Sequence, residues 1–343
     1  MRIGENPEKV NNVLSSEAYH RIIIPVYIPN EEGYFKDALK TFKLCLESLL
    51  NTIHDKTRIT IYNNGCCEAA TDYINAQYQN QELIDQVINS KINVGKINAI
   101  LAGAKGNVEP LLTITDADVL FKNEWQKSVE KLHYDFPEAG MVCPMPSSKG
   151  LFSYCANNWY YGLFKGGLRF KDVEDAKGLI MFDQSLGNNK SLLKEIHLKR
   201  YLTIANKSNS SCAVMGGGHF VATMKRIVLD KGNNSPTSIK IVGGVENLYI
   251  DKPNEDLGLL RIATTKCYVY HMGNVFEDWM LDEYNKTINK NHRLEYYSFE
   301  NFYPNRTRFF GRKFGVLLQT FLKKNQKFKL FFLNRLGLAY QDY

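Results

Sequence analysis

Two acids separated by one alanine, Asp116-Ala117-Asp118, follow directly on the apolar and β-branched run Leu111-Leu112-Thr113-Ile114-Thr115. Paired carboxylates at the end of a buried strand are unfavourable unless a cation or donors compensate them. If the extended geometry continues through Phe121, Asp116 and Asp118 face one side and Ala117 the other. A divalent metal is the natural compensation, since Mn²⁺ and Mg²⁺ take oxygen ligands and Mg²⁺ is commonly shared between carboxylates and substrate phosphates. Two solvated acids at a turn are the plain alternative. Other candidates stand further along. Gly216-Gly217-Gly218 opens a strand and could offer bare backbone N–H groups or form a flexible turn. Asn254-Glu255-Asp256 carries a second acidic pair, which also reads as a helix start with Asn254 as N-cap and acids in the first turn. His271 ends the run Tyr268-Val269-Tyr270.

The elements that must position these residues alternate. Residues 21–27 read as a buried strand closed by a proline, and 36–50 as a helix whose Leu39, Phe42, Cys45, Leu46, Leu49 and Leu50 form one apolar face. A second strand over 58–62 stops at Asn63-Asn64-Gly65, a helix covers 69–81, a short strand 84–88, and Asn93-Val94-Gly95-Lys96 opens another helix. Strands alternating with helices imply a mainly parallel sheet whose ligands bind beyond the carboxyl ends of its strands. Tyr27, Asn63, Asn64 and Asp116 sit at such ends. Lys96 could place a cation near a bound nucleotide or stand solvated in its first helical turn.

Composition narrows the class. The chain has 343 residues, 44% hydrophobic and 23% charged, enough for a large core. No stretch is long and apolar enough for a transmembrane helix, and residues 1–10 are polar, so the cytoplasm is the expected compartment, or the inner face of its membrane. Seven cysteines without a Cys-x-x-Cys pair argue against a disulfide framework and a zinc knuckle. A net charge of +7 suits anionic ligands such as nucleotides, or acidic membranes. No P-loop pattern is present, which weighs against an ATPase.

The ordered series Ile22-Ile23-Ile24-Pro25-Val26-Tyr27, Ile61-Tyr62-Asn63-Asn64-Gly65, Asn93-Val94-Gly95-Lys96 and Thr115-Asp116-Ala117-Asp118 resembles family 2 glycosyltransferases of the GT-A fold. The resemblance covers 21 to about 271. It implies a Rossmann-like α/β domain over 21–274, with a nucleotide-binding half over 21–120 and an acceptor half over 121–274. It also implies a nucleotide-sugar donor, with a UDP-sugar as the leading expectation. By the same carry-over Pro25 and Tyr27 lie beside the nucleobase, Asp116 approaches ribose and metal, and Asp118 is the direct ligand to Mn²⁺ or Mg²⁺. His271 joins Asp118 on the metal as in several GT-A enzymes, and Gly216–Gly218 line the sugar site. The Glu255-Asp256 pair then holds the catalytic base, with Asp256 as base and Glu255 as runner-up or acceptor-orienting group. Many relatives carry Asp-Asp where this chain has Asn63-Asn64, which leaves the donor's base open, although an amide both donates and accepts.

Two segments fall outside that frame. Residues 150–211 are longer than a compact relative needs and are expected as an insertion, either covering the acceptor or forming a structural excursion. Beyond Val275 the chain turns aromatic and basic, and 275–343 is expected to be a helical extension that packs on the domain or touches an anionic membrane. Residues 1–20 form a short N-terminal segment. The expected function is an inverting, metal-dependent transfer of one sugar to a hydroxyl of a glycan or lipid-linked acceptor, in polysaccharide or glycoconjugate synthesis, with no nucleic acid as partner. The absence of Gln-x-x-Arg-Trp favours single addition over processive synthesis. The competing readings are a sugar nucleotidyltransferase, which the first strand's lack of a glycine-rich basic loop opposes, and a non-catalytic binding module at a membrane surface.

Overall fold

A computed structural model describes residues 3–6, 16–187, 191–240, 246–288, 297, 299 and 304–343. Its strands are β1 (His20–Val26), β2 (Thr57–Asn64), β3 (Ile84–Ser90), β4 (Leu111–Thr115), β5 (Val119–Phe121), β6 (Ala139–Cys143), β7 (Gly167–Asp172), β8 (Arg200–Ala205), β9 (Cys212–Met215), β10 (Val221–Lys225), β11 (Leu260–Ala263) and β12 (Val269–His271). Ten of them form one sheet in the order β3-β2-β1-β4-β10-β6-β11-β9-β8-β7, and β5 pairs with β12 in a second sheet of two. The registers make β3, β2, β1, β4, β6, β11 and β8 point one way, while β10, β9 and β7 run against them. The sheet is therefore mainly parallel in direction, as expected, with antiparallel strands confined to its centre and far edge.

The central strands are apolar on both sides because helices cover both faces. Ile22, Ile24 and Val26 of β1 pack with Phe42, Leu46 and Leu49 of the helix Ala38–Leu50, whereas Ile23 packs on the other face with Ile97 and Ile100 of the helix Lys96–Lys105. Below the sheet's inlet end, a polar cluster is fully closed. His20, His54 and Glu130 are buried, and Glu130 accepts from Tyr19 while lying 2.7 and 3.0 Å from the two imidazoles.

Several expectations change. The strand carrying the acids ends at Thr115, and Asp116–Asp118 form a turn before β5, because β5 leaves the main sheet to pair with β12. Residues 192–201 are helical only over Glu195–Lys199; from Arg200 the chain extends to pair residue by residue with β7. Segment 150–211 thus builds the far edge of the sheet through β7 and β8. Asn254 is no N-cap: the helix Asp251–Asp256 ends just after it, and β11 follows the turn at Gly258. Residues 239 and 240 are not in a strand and 241–245 lie outside the described residues, as do Arg293 and Tyr296 of the tail.

The C-terminal residues divide between two surfaces. Residues 276–288 pack on the first helix, with the Phe276 N–H donating to the Asp37 carboxylate and the Lys40 ammonium 3.4 Å from the Phe276 ring centroid. The helices Phe309–Lys324 and Gln326–Arg335 pack at the opposite side, where Leu322, Leu333 and Leu338 join Leu151, Trp159 and Phe170 in a separate core. A Cβ at Gly311 or Gly315 would collide with Tyr160 or with the Ala156 carbonyl, so close approach fixes which face of this helix is buried.

Candidate active site

The acidic turn is tied down from both sides. Asp116 N–H donates to the Phe220 carbonyl at 2.9 Å, and Met272 N–H donates to the Asp118 carbonyl at 2.8 Å. Pairing of β5 with β12 sets His271 opposite Val119, which brings its Nε2 to 3.5 Å from Asp118 Oδ2. One ligand atom from each of Asp116, Asp118 and His271 falls within 4.8 Å of the others. Burial pushes the Asp118 pKa up; His271 opposes this and the neighbouring Asp116 charge adds to it. His271 Nδ1 lies 2.9 Å from Ser185 Oγ, which fixes the ring and leaves Nε2 facing the acids. Two carboxylates and one oriented imidazole are a donor set that suits Mn²⁺. These residues fit the expected metal.

A second chain of charges runs from the same turn. Lys96 Nζ lies 2.5 Å from Asp116 Oδ1 and 3.4 Å from Glu246 Oε1. Glu246 Oε2 is 2.9 Å from His219 Nε2, and His219 Nδ1 is 2.9 Å from Asp251 Oδ2. The fully buried Asp251 also meets Arg261 Nε at 2.9 Å. Burial alone would lower the Lys96 and His219 pKa values, but the surrounding carboxylates hold Lys96 at about 12 and raise His219 to about 9. Burial would raise Glu246, yet His219 and Lys96 outweigh it and hold its carboxyl at about 2. At neutral pH, Glu246 is ionised and His219 carries its proton.

Between these groups lies an open cavity of about 500 Å³. Lys96, Asp116, His219, Glu246, Arg261 and His271 give it polar walls, and Leu179, Phe182, Leu186, Leu192 and Leu193 give it an apolar one. Segment 150–211 supplies that apolar wall. Gly217 and Gly218 line the cavity, whereas Gly216 is held by packing: its φ is +93° and a Cβ there would sit 2.9 Å from the Gly150 backbone. Arg261 joins two rims, donating to the Ser153 carbonyl at 2.8 Å and to the Gly217 carbonyl.

The family model of glycosyl transferase family 2 matches residues 22–194, just over half of the chain. The chain belongs to glycosyl transferase family 2. Among solved structures, it is similar to the mannosyltransferase PcManGT from Pyrobaculum calidifontis, solved with GDP-Man and Mn²⁺, at 14% identity and a TM-score of 0.41 over 73% of this chain and 56% of that one. It is also similar to residues 1–349 of S. aureus TarS, at 10% identity and a TM-score of 0.43 over 79% of this chain and 70% of that one. The chain therefore spans a little over half of PcManGT. No curated protein matches it in sequence.

Within this family 2 chain, the expected donor-side residues are found at the strand ends. Pro25 lies in β1 opposite Tyr62, and Tyr27 just beyond it is part-exposed with its ring edge-on to Phe35. Asn63 and Asn64 are buried and occupied in bracing loops. Asn63 donates to Thr71 and Asn89, and Asn64 donates to Asn93 and accepts from the Val94 N–H. Those bonds hold the turn that aims Lys96.

The expected base is not in the cavity. Asp256 is exposed, paired with Lys252 one helical turn earlier, and its backbone carbonyl accepts from Arg312. Glu255 accepts from the Ala156 N–H at 2.8 Å, setting a carboxylate at the N-terminus of the helix Ala156–Phe164, where the helix dipole favours negative charge. Burial pushes the Glu255 pKa up. Sequence reasoning missed Glu246, His219, Asp251 and Arg261. One signal was present: Arg261 interrupts the apolar run Leu259-Leu260-Arg261-Ile262-Ala263, and a charge in a buried strand requires a partner.

Proposed function

We propose that the chain transfers one sugar, with inversion, from a nucleotide-sugar donor to a hydroxyl of a glycan or lipid-linked acceptor. The observation that carries this reading is the cavity itself, which is lined by Asp116 and His271, the two residues that converge with Asp118, and by Glu246, joined to Asp116 through Lys96. Asp118 and His271, with Asp116 beside them, would hold Mn²⁺ or Mg²⁺, which when bound stabilises negative charge on the departing nucleoside diphosphate. Lys96 adds a cation to the same charge. Tyr27, Pro25 and the loop braced by Asn63 and Asn64 form the nucleotide rim, and a UDP-sugar remains the leading donor. Gly217 and Gly218 leave room for the sugar.

Glu246 takes the role expected of Asp256. The acceptor oxygen attacks the anomeric carbon, the glycosyl–phosphate bond breaks with its electron pair leaving on the diphosphate, and the hydroxyl proton passes to a Glu246 oxygen. His219 already carries a proton, so it cannot accept this one; it orients Glu246, and Asp251 and Arg261 orient His219. A diphosphate that draws Lys96 towards itself removes one of the cations that depress Glu246 and makes it more basic. Glu246→Gln is expected to lower kcat by about 10²- to 10⁴-fold while leaving donor affinity within a few-fold. Asp256→Asn should transfer at the normal rate. Measured turnover and product anomer decide this, and a fully active Glu246→Gln enzyme would remove Glu246 from the reaction.

A further inference from the structure

The helix Phe309–Lys324 has a second apolar face that stays largely exposed among the described residues. Its buried side is fixed by Gly311, Gly315 and Leu322, which pack on the helix Ala156–Phe164. On a flank about a third of a turn from that side, Phe310, Phe314, Leu317 and Phe321 recur at steps of four, three and four, the spacing of a single helical stripe, with the Phe314 ring edge-on to Phe164 at 5.2 Å. All four are exposed, Phe310 by 83% and Leu317 by 70%. The stripe continues onto the next helix, where the Phe328 ring lies 5.0 Å from Phe321 and exposed Phe331 follows at 6.3 Å from Phe328. Soluble surfaces seldom present so many large apolar side chains in one row.

Charge identifies the occupant. Residues 304–341 contain nine Lys and Arg and no Asp or Glu. Lys313, Lys324 and Lys327 are exposed beside the ridge, and the Arg335 guanidinium sits 5.3 Å over the Phe331 ring. An apolar ridge within a mainly cationic border matches an interfacial helix lying on anionic lipid. A second copy of the same face would bring like charges together. Among the described residues, no helix is long and apolar enough to cross a membrane, so the ridge can lie on a bilayer but not span it.

We infer that these two C-terminal helices dock the protein on an anionic bilayer surface, with the Phe310 to Phe331 ridge entering the headgroup boundary. This goes beyond the transfer reaction and does not depend on it. The packed side of the same unit reaches the segment that lines the cavity: Tyr343 donates to the Ser148 carbonyl, and the Lys329 ammonium lies 5.6 Å from the Phe152 ring, next to the cavity-lining residues 149–150 and 153–154.

The test is flotation of the full chain with vesicles of phosphatidylcholine alone and of phosphatidylcholine mixed with phosphatidylglycerol. The protein should float with the mixed vesicles only, and rising salt should release it. Leu317→Ser with Phe321→Ser should lower the partition coefficient at least tenfold, and Lys324→Gln alone about fivefold, the factor that about 1 kcal/mol per cation represents. Unchanged unfolding temperatures would show that these exposed substitutions leave the fold intact. Failure to float with anionic vesicles, or equal flotation with neutral ones, overturns the inference. A dimer that Leu317→Ser dissociates, with no vesicle binding, would assign the ridge to a second copy instead.

Discussion

The Lys96 ammonium lies 2.5 Å from an Asp116 carboxylate oxygen, at the centre of the acidic wall of the cavity. With Glu246 at 3.4 Å on its other side, one lysine joins the turn Asp116–Asp118 to the carboxylate proposed as the base. Lys96 is positioned by Gly95 and by the Asn64–Asn93 bond at the turn before its helix, so Asn64 braces the loop from which Lys96 reaches Asp116.

Lys96→Met should therefore weaken donor binding more than it disturbs the fold. A charge-assisted contact to a phosphate contributes about 1.5–3 kcal/mol, so donor Kd in the presence of Mn²⁺ should rise by about ten- to a hundredfold. Titration calorimetry on wild type and variant measures this directly. An unchanged Kd would leave Lys96 with a purely structural pairing to Asp116.

Arg261→Met should cost up to about 3–5 kcal/mol of unfolding free energy, because it removes one of the two cations paired with the fully buried Asp251 carboxylate and leaves His219 alone. Adding Asp251→Asn to that variant should recover part of the loss, and equilibrium denaturation of the single and double variants reads the coupling. The same substitution releases the Ser153 and Gly217 carbonyls at the cavity rims, so activity should fall even where the protein remains folded.

Acid should weaken the fold through His133. This imidazole is fully buried, bonded to the Thr223 carbonyl at 3.1 Å, and burial next to Lys225 lowers its pKa to about 3. Its folded value is below its unfolded one, so the unfolded chain binds the extra proton first. The contribution to stability is complete above pH about 6.5 and is lost as pH falls towards 3. Between pH 7.5 and 5 the loss should be about 2 kcal/mol. In His133→Asn that part of the pH dependence should vanish, which denaturation at the two pH values would show.

Much of this was legible in the chain. The β1 and β4 strands, the first helix and the acids at Asp116 and Asp118 announce themselves through unbroken apolar runs that end in polar residues, because both faces of those strands are covered. Their convergence with His271 was legible too, although the route differs: pairing of β5 with β12 brings the groups together, with no continuous strand through the acids. Glu255 and Asp256 stand away from the cavity for a physical reason. Glu255 and Asp256 look like a helix-start acidic pair, but they end their helix, and Glu255 serves as an N-terminal acid for a helix about a hundred residues earlier. Glu246 gave no local signal, since its partners Lys96 and His219 are distant in sequence and only the fold assembles them. The tail showed its charge and aromatic content at once; which face is buried depended on Gly311 and Gly315 meeting the helix Ala156–Phe164.

The most direct test of the central claim is the unfolding temperature of the wild type and of Asp118→Asn with UDP- and GDP-linked sugars, each with Mn²⁺ and with EDTA. A ligand that binds only the folded state raises stability with the logarithm of its concentration over Kd. The account predicts a rise in the wild type with one nucleotide class and Mn²⁺, abolished by EDTA and absent in Asp118→Asn. An equal rise in Asp118→Asn, or one that survives EDTA undiminished, would contradict it.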